Sequence, residues 1–232
     1  MAKNRPLLLG LVLIFLACRS NSDGPKPAGP VTPEPAANAE EPAKSTGSVA
    51  APAAVGKPAP EFTLPDLDGK PVRLADFRGK IVVLEWFNPE CPFVKASHTK
   101  GSLVRAPDKH VSEGAVWLAV NSGAPGKQGA GVEKSRAGRE EFGMKYPVLI
   151  DESGDVGKLY GAERTPHMYV IDAKGVLVYR GAIDNSPDGI GESPTGGKLV
   201  NYVEEAVHAL LGGRPLAVTE TKAYGCSVKY AK

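Results

Sequence analysis

The chain has 232 residues and a formal net charge of +2. That length supports one well-buried domain with sequence to spare, and the near-neutral balance creates no demand for nucleic acid or a strongly acidic partner. Three cysteines exclude a disulfide-dense scaffold and a four-cysteine zinc or iron–sulfur site within one chain.

Residues 1–18 read as an export signal. Lys3 and Arg5 give a positive start, Leu7 to Ala17 is apolar apart from Gly10, and Cys18 closes the run. The run is too short for an ordinary membrane-spanning helix, which needs ~20 apolar residues. Phe15-Leu16-Ala17-Cys18 resembles the signal of bacterial lipoproteins, which implies a mature chain lipidated at Cys18. The alternatives are a plain secretory signal and an uncleaved anchor. Arg19 lacks the acidity associated with inner-membrane retention, so the resemblance favours the periplasmic side of an outer membrane. Residues 19–57 carry seven spaced prolines from Pro25 to Pro52 and no aromatic residue. Such a segment cannot offset its ordering entropy and is expected to be a disordered, extended tether.

From residue 58 the pattern is that of one α/β domain. Phe62 to Leu64 and Val72 to Leu74 flank Asp68-Gly69, a hairpin signal. Ile81 to Phe87 is nearly all apolar, as in a strand buried on both faces. Cys91-Pro92 follows, and proline favours the first helical position, so the sequence predicts a helix from there to about Arg105. Ala115 to Val120 is a second buried strand and Asn121 to Gly131 a glycine-rich loop. Val132 to Met144 is helix-compatible, Val148 to Ile150 a short strand, and Asp155 to Tyr160 a short helix stopped by Gly161. Thr165-Pro166 precedes a strand over 167–171, and Asp172 to Gly175 turns it into an antiparallel strand over 176–180. Lys198 to Leu211 has apolar residues at helical spacing. A tail over 214–232 carries Cys226. Alternating strands and helices argue a mixed sheet flanked by helices.

Cys91 is the residue with the most chemistry. The thiolate is the reactive form of cysteine, and a helix N-terminus lowers a thiol pKa from ~8.5. Lys95, one turn on, would help, and Glu90 would oppose. A buried inert cysteine is the plain alternative.

The strand into Glu90-Cys91-Pro92-Phe93-Val94, then Tyr160-Gly161-Ala162 with Thr165-Pro166, Tyr179 to Asp184 and Gly225-Cys226-Ser227-Val228-Lys229, resembles the thioredoxin-like superfamily. It is most similar to its peroxiredoxin-like redoxins of the AhpC/TSA type, over residues 56–232. The resemblance implies a thioredoxin-like fold, a cis Pro166 facing the active cysteine, and a backbone edge there for a substrate peptide. Two departures matter. The usual Cys-x-x-Cys has Val94 in its second position, so Cys91 aligns with the attacking cysteine and lacks a near partner. The peroxidatic Pro-x-x-x-Thr-x-x-Cys pattern fails too, since counting back from Cys91 gives Leu84 and Asn88.

Cys226 is the remaining candidate to resolve a mixed disulfide. The same two cysteines would alternatively make a static bond, worth ~4.7 kcal/mol for so long a loop in the entropy model, or stay unpaired. The expectation is an exported, membrane-tethered thiol–disulfide oxidoreductase with Cys91 attacking, Cys226 resolving, and Thr165 and Pro166 positioning the partner. Its partners would be a protein or small thiol or disulfide and an unidentified reductant, with membrane contact only through the lipid. A thiol peroxidase acting through a sulfenic acid on Cys91 is one rival. A non-catalytic binding module is the other, for which Cys91, His167 and Cys226 are the soft ligands for copper(I) or zinc. Trp86 and Phe87 would either rim the cysteine or sit in the core. No pattern for a nucleotide, flavin or haem cofactor is present.

Overall fold

The computed structural model describes residues 51–194 and 197–232; the predicted signal, Cys18 and most of the predicted tether lie outside them. Its central element is β3 (Val82–Trp86), in which every residue is buried. Side chains alternate across a strand. Val82, Leu84 and Trp86 enter one apolar layer, while Val83 and the following Phe87 enter the other.

Around β3 the sheet runs in the order β5 (Val148–Ile150), β4 (Val116–Asn121), β3, β7 (His167–Ile171), β8 (Leu177–Gly181). β3, β4 and β5 are mutually parallel, β7 runs antiparallel to β3, and β8 runs antiparallel to β7. The layer that includes Phe87 is closed by residues of α1 (Pro92–Thr99), α2 (Ala106–Ser112), α3 (Val132–Glu141) and α5 (Tyr202–Leu211). The opposite layer is closed by the hairpin β1 (Thr63–Pro65) and β2 (Pro71–Arg73) and by α4 (Asp155–Tyr160). This is the mixed, helix-flanked α/β sheet expected from the sequence. Two short strands, β6 (Arg164–Thr165) and β9 (Cys226–Ser227), form a separate antiparallel ladder.

Three boundaries differ from the sequence reading. The helix after Cys91 ends at Thr99, short of Arg105; Gly101 lies so close to the Gly189 carbonyl that no side chain fits there, a 3₁₀ turn over Ser102–Val104 follows, and α2 restarts with Pro107 in its first turn. The last helix begins at Tyr202, since the Asn201 side chain caps it by accepting from Glu204 N at 3.0 Å. Residues 53–57, assigned by sequence to the tether, already touch the domain. Ala53 is buried, with its N–H on the Leu159 carbonyl, and Gly56 N bonds Leu177 O.

One polar group interrupts the layer under α1. Glu85 of β3 is fully buried, with Oε1 2.7 Å from His98 Nε2 and Oε2 accepting from Trp117 Nε1 and Tyr146 Oη, both at 3.2 Å. His98, on α1, is the buried partner of this acid. Removing one member of a buried pair strands the other. His98→Leu is therefore expected to lower the unfolding free energy by about 3–5 kcal/mol, read from urea denaturation midpoints at constant slope.

Candidate active site

Cys91 lies where β3 hands over to α1. It is the N-cap of α1 (φ −81°, ψ 123°), with Pro92 opening the helix, and none of its surface is exposed. The connecting loop is fixed by its own polar groups. Asn88 O accepts from Cys91 N at 3.0 Å, and Asn88 Oδ1 accepts from Glu90 N at 2.9 Å. The glycine-rich loop, legible in the sequence only as a loop, braces this turn. Gly129 N donates to Glu90 Oε2 at 2.8 Å and Gln128 Nε2 to Glu90 O at 3.0 Å. Gly129 is positive in φ and lies so close to Asn88 Oδ1 that no side chain fits there.

Pro166 approaches from β7. The Thr165–Pro166 peptide is cis. Thr165 O accepts a hydrogen bond from Cys91 Sγ at 3.0 Å, and the buried Thr165 hydroxyl has no partner among the described residues. The tail completes the ring. β9 pairs with β6 so that Cys226 stands opposite Thr165 and Ser227 opposite Arg164. Both cysteines are free thiols, Cys91 buried and Cys226 partly exposed.

The two thiols are pushed apart in acidity. Burial pushes Cys91 up, but the Cys226 thiol, Thr165, and the backbone N–H groups of Val94 and Cys226 outweigh it, and the net shift is downward. Burial, reinforced by the neighbouring Cys91, pushes Cys226 up to about 11 against the pull of Lys229 and Arg164. Cys91 is thus the group that ionises first, and Cys226 keeps the proton it can donate.

Other expectations shift. Lys95 pairs with Glu141 at 2.5 Å and is not among the groups lowering Cys91. Glu90 is held by Lys134 at 2.8 Å. Trp86 and Phe87 are core, not rim. His167 faces Tyr169 Oη at 3.2 Å and Glu163 N, and burial, with Arg180 adding to it, lowers its pKa to about 4. It does not join Cys91 and Cys226. Among the described residues the metal-capable trio is His110, Glu113 and His208, on α2, just after it, and on α5, where Glu204 and its partner Lys109 also lie.

Sequence reasoning missed what anchors the tail. Tyr230 Oη donates to Ala162 O at 2.7 Å, in a slot that exists because residues 154 and 157 are glycines. Ala124 N bonds Lys229 O at 2.8 Å, Val228 N bonds Glu163 O at 3.0 Å, and Tyr224 Oη donates to Asp184 Oδ1 at 3.0 Å. The only signal was the Gly225-Cys226-Ser227-Val228-Lys229 segment itself.

With this geometry in hand, the comparisons with known proteins agree with the resemblance. The sequence model of the AhpC/TSA family matches residues 55–180. A thiol-disulfide oxidoreductase ResA of Geobacillus thermodenitrificans is 37% identical over 123 residues, which cover 53% of this chain and 66% of that one, just under two thirds of its length. A Mycobacterium tuberculosis protein carrying a peroxiredoxin name is 34% identical over 125 residues, 53% of this chain and 73% of that one. Among solved structures, an uncharacterized conserved protein of Geobacillus kaustophilus is 32% identical with a TM-score of 0.66, covering 77% of this chain and 93% of its own. A hypothetical protein of Sinorhizobium meliloti is 28% identical with the same TM-score, covering 78% and 97%.

The coupling of the two thiols has a measurable sign. Cys226→Ala removes the thiol donor from Cys91 and keeps the backbone N–H, so the Cys91 thiol is expected to titrate at higher pH than in the parent. Cys91→Ala leaves the burial of Cys226 but removes the neighbour that reinforces it, so Cys226 is expected to titrate below about 11. Ultraviolet thiolate absorbance against pH reads both without requiring reagent access.

Proposed function

The chain belongs to the AhpC/TSA family, and within that family we propose that it is a thiol–disulfide oxidoreductase whose attacking thiol is Cys91 and whose resolving thiol is Cys226. The observation that carries the proposal is the register of the tail. Cys226 stands opposite Thr165, the residue whose carbonyl binds the Cys91 sulfhydryl.

The reaction follows from the acidity difference. The Cys91 thiolate attacks one sulfur of a disulfide R–S–S–R, and a mixed disulfide forms as R–S⁻ leaves. Cys226 gives up its proton toward the leaving thiolate and attacks the Cys91 sulfur, expelling the second R–S⁻. The chain ends with a Cys91–Cys226 bond, two electrons poorer, and the substrate ends as two thiols. Run backward, the oxidised chain accepts two electrons from a reductant dithiol. Thr165 holds the Cys91 sulfhydryl through its carbonyl, its hydroxyl being unpartnered, and Pro166, which has no N–H, keeps a competing donor out of the site. The name of the ResA relatives supports this chemistry. Leu84 and Asn88, where a peroxidatic pattern needs proline and threonine, weigh against a peroxidase.

The location belongs to the same proposal. The signal-like residues 1–18, Cys18 as the lipidated residue and the proline-rich stretch support a domain tethered to a membrane on the non-cytoplasmic side, where disulfide chemistry is at home.

The test uses the full chain carrying Cys18→Ser, equilibrated in thiol–disulfide buffers, with alkylated cysteines counted by intact mass. The expected result is one reversible two-electron transition between Cys91 and Cys226, at a potential above about −300 mV, where labile disulfides lie. A bond that resists all reductant would make the pair a static staple. Two thiols that never pair would end the role of Cys226, and sustained peroxide consumption by Cys91 alone would replace the proposal with the peroxidase.

A further inference from the structure

A strand edge beside a reactive cysteine is a docking site for an extended polypeptide, because an added strand satisfies its backbone groups. Here the chain fills that edge itself. β9 takes the β6 pairing, and Cys226 occupies the position that the cysteine of an incoming strand would need. The seat is close-fitted. Gly225, at φ +107°, lies against Thr165 O so tightly that no side chain could stand there. The tail is also pinned beyond the ladder, by Tyr224 to Asp184, Lys229 to Ala124 and Tyr230 to Ala162. Cys91 beneath it has no exposed surface.

Room for a small solute lies alongside the ladder. A cavity of about 290 Å³ is lined there by Glu163, Arg164, Arg180, Glu220 and Lys222, and by neither cysteine. Arg180 is paired with Glu220, whereas Arg164, Lys222 and Glu163 make no ion pair among the described residues, so the wall carries one positive charge in excess. Arg164 connects the cavity to the thiol: it stands opposite Ser227, the neighbour of Cys226, and is one of the two cations that pull on Cys226. The cavity is of a size for a small molecule.

Resting on the thiol–disulfide reading above, we infer that residues 224–230 are its specificity element: the tail shuts out polypeptide disulfides and leaves the site to low-molecular-weight disulfides that carry carboxylates. The electron count is unchanged. One small disulfide gains two electrons and leaves as two thiols, and Cys91 and Cys226 become a disulfide. A small disulfide needs only local parting of Cys226 from Thr165. A polypeptide strand must displace the whole segment and break each of its anchors.

The experiment follows oxidation of the reduced full chain carrying Cys18→Ser, by intact mass after alkylation. The oxidants are oxidised glutathione (anionic), cystamine (cationic) and insulin (a protein disulfide). The expected order of second-order rate constants is glutathione, then cystamine, then insulin. One lost hydrogen bond corresponds to a change of about tenfold. Tyr230→Ala is therefore expected to speed the insulin reaction by at least about tenfold, while the glutathione rate moves by less than about threefold. Tyr230→Phe keeps the ring in its slot, deletes only the bond to Ala162, and should fall between parent and Tyr230→Ala; it keeps the test valid if the alanine variant unfolds. Insulin reacting as fast as glutathione in the parent, or both rates rising together in the variants, would overturn the tail as a specificity element. Equal glutathione and cystamine rates would overturn the cavity's charge as the selector. If no disulfide oxidises the parent, the thiol–disulfide reading itself fails, an outcome distinct from both.

Discussion

A sulfur sealed from water must take all of its hydrogen bonds from the protein, and that constraint organises everything around Cys91. Protonated, it donates to Thr165 O; ionised, it is served by the N–H groups of Val94 and Cys226, the Cys226 thiol and Thr165. These partners come from a helix start, a short strand that ends at a cis peptide, and a tail segment far away in sequence. The fold is what brings three such pieces to one atom. Together they outweigh the desolvation of the thiolate, which alone would push the Cys91 thiol up.

The supporting scaffold follows from β3 being central and buried on both faces. Its side chains feed two apolar layers, so its C-terminal end is fixed in position, and the turn after it can be trimmed by polar contacts alone. Asn88, Glu90 and the 128–129 segment do that trimming with backbone bonds. Lys95 and Lys134, the nearby cations, are spent on Glu141 and Glu90. Thiol tuning here is therefore local hydrogen bonding and helix-end placement, not charge pairing.

What could be read from the sequence divides along physical lines. Buried strands announce themselves as apolar runs, so β3, β4 and β7 were legible. The Asp–Gly turn, the glycine stop after Tyr160 and the amphipathic stripe of α5 were legible because each is a local rule. The Thr165–Pro166 site came through family resemblance, since a lone Thr-Pro pair carries no such meaning locally. Features decided by distant contacts were not legible. Gly101 and Pro107 are local signals that weaken the helix after Cys91, but the close approach of Gly189, far along the chain, to Gly101 has no signal in the sequence. Lys95 takes a glutamate from α3 rather than the thiol it follows. β9 is two residues long, too short for any periodicity, and exists only because β6 presents its edge.

The tail also has a role in the mechanics of the domain. Cys226 packs against the layer that contains Cys91, whereas Val228, two residues further on, packs against the opposite layer with Trp86, Tyr160 and Tyr169. The β6–β9 ladder therefore bridges the end of the sheet, and Tyr230 is seated in α4, which belongs to that far layer. The two cores, on opposite faces of the sheet, are clasped together at the end that holds Cys91. The thiol chemistry on one side of the sheet is thereby answerable to side-chain packing on the other, in a layer that Cys91 never touches.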